Sequence, residues 1–251
     1  MAARRITSPA ASGDRVTPQD LPSGYEGLRV GFTAAVSHEL RTPLARLLSL
    51  LDTAKLPGVD VQELIDEACA EVVEMTQLVD DILFLSELEQ GREVVALGFT
   101  EIAPYVQEVF EESRERALRA ELALESDVPA GIVVPMRPRM LLVLLGNLLD
   151  NALRYAGRGA TFRITARLEG GNVVLEISDD GAGVDPADVP RLFERFFRSD
   201  RSRTTRGTGL GLAIVKHIVG AADGTAEVDG NVGEGTRFRF VLPAPRETRI
   251  I

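Results

Sequence analysis

The sequence predicts an α+β multidomain chain: an antiparallel helical hairpin that forms a dimeric four-helix bundle, followed by an α/β sandwich. Three observations predict it. Apolar residues recur at helical spacing from about residue 27 to residue 88, broken once by "LPGVD" (56–60). Two β-branched runs flank Gly170-Gly171 in "TFRITARLEGGNVVLEISDD" (161–180), the pattern of a β-hairpin. Helical and strand patterns alternate around that hairpin, as they do where helices cover one face of a sheet.

Residues 1–24 are rich in Ala, Ser, Pro, Gly and Asp, lack periodicity, and read as a flexible tail. The helical hairpin occupies 25–90. Its first helix, from about Gly27 to Lys55, carries Leu40, Leu44, Leu47, Leu48 and Leu51 at heptad-like spacing. Its second carries Val61, Leu64, Ala68, Val72, Met75, Val79 and Ile82, three and four residues apart. Helices joined by so short a loop lie antiparallel. A lone hairpin cannot bury both apolar stripes, so a homodimer is the simplest completion. The second domain occupies 91–245. It reads as a strand at "VVALGF" (94–99), a helix over 100–120, a strand at "ELALESDV" (121–128) and a strongly apolar helix over 137–156. The hairpin follows, then a helix over 210–222 and two closing strands, "TAEVDG" (225–230) and "TRFRFVLP" (236–243). Residues 246–251 form a second tail.

Composition narrows the function classes. The chain has 251 residues, enough to bury a core, and is 45% hydrophobic and 26% charged, as soluble globular proteins are. A net charge of −10 speaks against nucleic acid as a partner, because a phosphate backbone is met by a basic face. The single cysteine, Cys69, excludes an intrachain disulfide and suits a reducing compartment; in its helical apolar pattern it reads as a small core residue. The apolar run "LLVLLGNLL" (141–149) is far too short to span a membrane, and no apolar stretch follows Arg4 and Arg5. The expectation is a soluble, cytoplasmic protein.

In "FTAAVSHELRTPLARLL" (32–48) a histidine precedes a proline within the first helix. At about 100° per residue, Leu40, Leu44, Leu47 and Leu51 cluster roughly 200° from His38. A core-packed histidine is therefore disfavoured, while a solvated one without a role stays open. Arg41 and Thr42, three and four residues on, share its exposed face, and Glu39 can lean toward the ring. A neutral imidazole, with a reference pKa of about 6.5, is a nucleophile at cell pH. If one ring nitrogen attacks phosphorus the other must lose its proton, which an adjacent carboxylate accepts. Arg41 can steady the transferred group and Thr42 can orient a water. Pro43 removes a helix hydrogen bond and bends the helix just below this patch. The stretch "SHELRTPL", Ser37 to Leu44, resembles the phosphoacceptor motif of bacterial sensor histidine kinases. The resemblance implies that His38 is phosphorylated, that Glu39 is its acid–base partner, and that Thr42 serves a phosphatase reaction.

Three further segments bear on nucleotide binding. "GNLLDNALRYA" (146–156) lines Asn147, Asn151 and Arg154 along one helical face, a plausible bed for a metal–phosphate group, although polar residues on an apolar helix usually just face solvent. "DDGAGV" (179–184) ends a strand with an Asp and two glycines, which by itself is a turn. "RGTGLGLAIVKH" (206–217) opens a helix with glycines, where backbone amides and the helix dipole favour phosphate. It is not a Walker loop, since no Gly-Lys-Ser/Thr follows, and no strand–turn–helix unit of Rossmann type surrounds it.

In this order the three segments resemble the ATP-binding domain shared by histidine kinases, DNA gyrase and heat-shock chaperones, and "RLFERFFRSD" (191–200) is similar to the phenylalanine-containing segment of the kinases. The resemblance implies Asn151 as the Mg²⁺ ligand, Asn147 supporting the same site, Arg154 on phosphate and Tyr155 against adenine or ribose. It implies Asp179 as acceptor for the adenine amino group, with Gly181 and Gly183 letting the base come close. Gly207, Thr208, Gly209, Leu210 and Gly211 would form the phosphate-side lid, with Arg195 or Arg198 reaching the phosphates. The hydrolysing relatives carry a glutamate at the Asn147 position. An asparagine cannot accept a proton, which favours transfer over free hydrolysis. Two positions depart from the kinase pattern: Arg137 replaces an acidic residue, and "GAADG" (220–224) lacks the usual histidine. His217 reads as a surface or packing residue.

The function implied is that of a two-component sensor histidine kinase core, a homodimer that phosphorylates His38 from Mg²⁺–ATP and passes the group to an aspartate of a cognate response regulator. The alternatives are a protein acting mainly as a response-regulator phosphatase, and a nucleotide-binding scaffold without transfer, which Glu39, Asn151 and the glycines argue against. About 27 residues precede the first long helix, too few for a ligand-binding domain. Input is expected from a partner sensor protein or from the sensor region of a longer, membrane-anchored kinase.

Overall fold

The computed structural model describes residues 23–89, 98–199 and 207–245, with side chains from residue 36 onward. The expected tail over 246–251, residues 1–22 of the amino-terminal one and residues 94–97 of "VVALGF" lie outside the described residues. Helix α1 (Ser23–Thr53) and helix α2 (Val61–Glu89) form the antiparallel hairpin. α1 begins within the two residues expected to end the tail, and it continues through Pro43 as one helix. Pro43 has no amide to offer the carbonyl of Glu39, a local cost that the rest of the long helix tolerates. α2 starts where Asp60 caps it: Oδ1 accepts from the amides of Gln62 at 3.0 Å and Glu63 at 3.2 Å. The two helices are pinned in register by Arg46, which reaches the buried carboxylate of Glu71 at 3.0 Å.

The hairpin leaves much of its apolar surface open. Leu44, Leu48 and Leu51 of α1, and Ile65, Val72, Val73, Val79 and Leu83 of α2, are exposed within the protomer. The side of α2 that is buried is another one, Leu78, Asp81, Phe84, Leu85 and Leu88, because the second half of this helix lies against the following domain. Periodicity found a stripe on α2 that includes Val72 and Val79, but the stripe covered in the protomer is this neighbouring one. Cys69, expected in the core, is exposed, since it lies on a side of α2 that nothing in the protomer covers.

The second domain is a two-layer sandwich. It contains β1 (Thr100–Glu101), α3 (Ile102–Ala120), β2 (Ala123–Asp127), β3 (Val133–Val134), α4 (Pro138–Tyr155), β4 (Thr161–Glu169), β5 (Asn172–Asp179), α5 (Gly211–Ala221), β6 (Thr225–Asn231) and β7 (Gly235–Pro243). The main sheet runs β2-β4-β5-β7-β6, with β2 parallel to β4 and every other pair antiparallel; β1 and β3 pair separately. Gly170 and Gly171, both at positive φ, turn β4 into β5. Phe162 and Ile164 of β4, Leu175 and Ile177 of β5 and Phe240 and Leu242 of β7 point inward against α4 and α5. On α4, Met140, Leu141, Leu144, Leu145, Leu148 and Leu149 are all 1% exposed or less. Pro138 opens this helix at its first turn, where no side chain caps it.

The other sheet face is polar and paired with itself. Arg163 meets Glu125 across β4 and β2, Arg167 meets Glu176, and Arg239 lies between Glu176 and Glu227. The edge strands carry charge: Glu125 and Asp127 on β2, Glu227 and Asp229 on β6. Among the described residues no helix is long and apolar enough to cross a membrane.

Candidate functional site

His38 stands on α1 with its side chain 76% exposed, and its Nδ1 lies 3.5 Å from Oε1 of the half-buried Glu39. The Thr42 hydroxyl donates to the His38 carbonyl at 3.4 Å, as threonine does one turn along a helix, and Arg41 is exposed beside it. The structure thus brings His38 and Glu39 into contact and leaves Arg41 and Thr42 open to solvent on the same stretch of helix.

The nucleotide-site candidates gather where the carboxyl-terminal end of α4 meets the glycine-rich segment before α5. Asn147 donates from Nδ2 to the Val143 carbonyl at 2.8 Å. Its Oδ1 faces Gly211, where a Cβ would come within 2.3 Å of it, so a larger residue there would push the Asn147 side chain aside. Asn151 is half-buried one turn further on, and Arg154 and Tyr155 reach the surface at the helix end. A Cβ on Gly207 would lie 2.9 Å from Arg154 Nη1 and 3.4 Å from Tyr155 Oη. Leu210 is fully buried and anchors the segment to the core.

Asp179 ends β5 with its Oδ1 accepting from the Gly181 amide at 3.0 Å. Burial pushes its carboxyl above the ordinary value, although the amides of Gly181 and Thr236 pull the other way and Asp180 adds to the rise. Thr236 is a site residue that motif reading missed. It registers against Asp179 across β5 and β7, a pairing that no local motif displays. A cleft of about 240 Å³ opens at this end of the sheet, lined by Asp179, Asn231, Gly235 and Thr236 among others. Asn151 and Arg154 are not in its lining. The glycines of "DDGAGV" have a structural reason within the protein itself. A Cβ on Gly181 would meet the Ala156 carbonyl at 2.2 Å, and one on Gly183, at φ +66°, would meet the Asn231 carbonyl at 1.8 Å.

The segment "RLFERFFRSD" is tied to the lid by its backbone: the Phe196 amide donates to the Gly209 carbonyl at 2.9 Å. Phe196 adopts φ +60°, and Gly209, at φ +68°, approaches it too closely for any side chain. Arg198 is half-buried. Arg195 pairs with Glu89 at the end of α2. His217 accordingly packs rather than stands free, with Nδ1 3.0 Å from the Ala213 carbonyl and Nε2 3.7 Å from Glu89. Thr208 turns toward the hairpin, its hydroxyl donating to Asp81 Oδ2 at 3.2 Å and accepting from the Leu210 amide. Neither carboxylate of α2 carried a motif.

Comparison with known proteins adds to this geometry. Residues 136–246 match the family model of the histidine kinase-, DNA gyrase B- and HSP90-like ATPases, and residues 28–91 match that of the His kinase A (phospho-acceptor) domain. The sensor-like histidine kinase SenX3 of Mycobacterium tuberculosis is 35% identical over 225 residues, which are 87% of this chain and 55% of SenX3. The chain therefore spans about half the length of the curated relatives it matches. A solved structure of the mycobacterial sensor histidine kinase MprB aligns with TM-score 0.52 at 30% identity, over 59% of this chain and 98% of that one. Full-length ShkA in complex with AMPPNP aligns with TM-score 0.61 at 28% identity, over 84% of this chain and 45% of that one.

Proposed function

The chain belongs to the sensor histidine kinases, and from that premise we propose that it is an ATP-dependent protein histidine kinase whose phosphoacceptor is His38. The observation that carries this reading is the pairing of an exposed imidazole with one carboxylate at Nδ1. A carboxylate there favours the tautomer with its proton on Nδ1 and leaves the Nε2 lone pair directed outward as the nucleophile. Nε2 attacks the γ-phosphorus of ATP, the bond to the β–γ bridging oxygen breaks, ADP leaves, and Glu39 takes the Nδ1 proton. Arg41, exposed beside the ring, steadies the transferred group.

In this reading α4 supplies Asn147, Asn151, Arg154 and Tyr155 to the nucleotide, and Asp179 with Gly181 and Gly183 receives adenine. The segment Gly207–Gly211, with Thr208 and Leu210, closes over the phosphates, and Arg195 or Arg198 reaches them. Likeness to a kinase solved with AMPPNP supports ATP as the nucleotide. The Asn151 amide oxygen is the hard, half-buried donor that suits Mg²⁺, whereas the Asn147 amide nitrogen is engaged by the Val143 carbonyl. Mg²⁺ would neutralise the charge of the transferring phosphate. The exposed apolar residues of α1 and α2 support a homodimer through the hairpin (25–90), with catalysis in the domain over 91–245. The phosphoryl group then passes to an aspartate of a response regulator. The exposed Thr42 hydroxyl, one turn from His38, supports dephosphorylation of that regulator as a second activity. Input from a separate sensor or from a sensor region of a longer protein fits the family.

Incubation with γ-labelled ATP and Mg²⁺ tests the reading. Acid-labile label is expected on the wild type and none on His38→Gln; equal labelling of both proteins refutes His38 as acceptor.

A further inference from the structure

The seam between α2 and the second domain holds two carboxylates, Asp81 buried among apolar neighbours and Glu89 at the exposed end of the helix. Asp81, 9% exposed, lies between Leu78 and Leu85 on the buried side of α2. Its Oδ1 accepts from Gln77 Nε2 at 2.9 Å and its Oδ2 from the Thr208 hydroxyl at 3.2 Å. Burial raises its carboxyl; Gln77, Thr208 and the charge of Arg154 oppose the rise, and Asp80 adds to it. Eight residues on, Glu89 pairs with Arg195. Two acids of the hairpin thus act on three residues assigned above to the phosphates: Thr208, Arg154 and Arg195.

We propose that Asp81 is a positioning residue that sets docking of the second domain on α2 against nucleotide binding. Its carboxylate holds the Thr208 hydroxyl while the domain rests on α2, and the phosphates of a nucleotide compete for that hydroxyl. The inference rests on the nucleotide reading above. A hydroxyl has one proton to donate, so Thr208 cannot serve Asp81 and a phosphate at once, and the two anions repel each other. Linkage makes the effect reciprocal: nucleotide loosens the seam by the factor by which the seam weakens nucleotide. Counted along the antiparallel pair from Arg46 and Glu71, Asp81 lies within about one helical turn, ~5 Å, of the level of His38. The domain is therefore held at about the height of its acceptor and freed when loaded.

Calorimetric titration of the full chain with Mg²⁺–AMPPNP tests this. Asp81→Asn keeps the shape and removes the charge, and its Kd is expected to fall about fivefold, while Asp81→Glu stays near wild type. In the wild type, saturating AMPPNP is expected to speed amide exchange across residues 78–88. A folded Asp81→Asn protein with unchanged or weaker affinity overturns the proposal. Should that variant not fold, unaltered exchange at 78–88 in the nucleotide-bound wild type overturns it. A wild type that binds no nucleotide refutes both this inference and the functional reading. One that binds nucleotide and labels His38, beside an Asp81→Asn protein of equal affinity, refutes this inference alone.

Discussion

The two regions bury their apolar residues to opposite degrees. On α4 six large side chains are 1% exposed or less, whereas on the hairpin Leu48 is 63% and Val73 67% exposed. The sandwich supplies most of its own core from α3, α4, α5 and three strands, with Leu78, Phe84, Leu85 and Leu88 of α2 added at one side. The hairpin has two helices, paired through Arg46 and Glu71. It leaves apolar surface that the proposed homodimer would cover, while the second half of α2 lies against the adjacent domain. One region carries most of its own core; the other presents its apolar residues outward, to the adjacent domain and to the proposed partner copy.

Four substitutions test that contrast. The largest effect is expected in the closed region at Gly183, where an alanine Cβ would run into the Asn231 carbonyl. Gly183→Ala should cost more than about 4 kcal/mol and remove cooperative unfolding of the sandwich. Next is Leu145→Ala, which leaves a cavity under α4 and should lower unfolding free energy by about 3 kcal/mol in urea titrations. Leu48→Glu in the open region should leave the sandwich transition within about 0.5 kcal/mol of wild type. It should convert the dimer to monomer in sedimentation. A drop in sandwich stability like that of Leu145→Ala would mean that the hairpin is not an independent interface. The smallest effect is at the outer sheet face, where Arg167 and Arg239 hold the Glu176 carboxyl below its ordinary value. Glu176→Gln should cost less than about 1 kcal/mol, the range of exposed pairs. That contribution is present above the ordinary carboxylate range and fades as pH falls through it.

Acidity separates the carboxylates raised by burial from this one, which is lowered by its arginines. Asp179 and Asp81 are raised by burial, so the folded chain binds their protons more tightly than the unfolded chain does. Stability then declines as pH rises from the ordinary value near 3.8 through the raised one, and stays lower above it. Asp179→Asn should therefore melt higher than wild type at pH 7, with the gap closing toward pH 4. A gap that widens on acidification would mean that the amides of Gly181 and Thr236 outweigh burial.

The sequence made α4 and the β4–β5 hairpin legible because each has a signal confined to a short window, an apolar run and a glycine pair. His38 was legible for the same reason: its neighbours in the motif are its neighbours in space. What it could not display were contacts between distant segments. Glu89 meets Arg195 across 106 residues, and Thr208 meets Asp81 across 127. Asp81 was doubly hidden, since a carboxylate inside a buried stripe breaks the very pattern that reveals the stripe. The glycines at 181 and 183 were visible as residues, yet their reason, the approach of the Ala156 and Asn231 carbonyls, exists only in the fold.

The charged edge strands have a consequence for assembly. In the proposed dimer a hairpin tethers two sandwiches at high effective concentration, where an unpaired strand edge is most prone to recruit its twin. Glu125 and Asp127 on β2 and Glu227 and Asp229 on β6 put like charge at both open edges. Two copies held together for signalling are thereby kept from fusing into a continuous sheet.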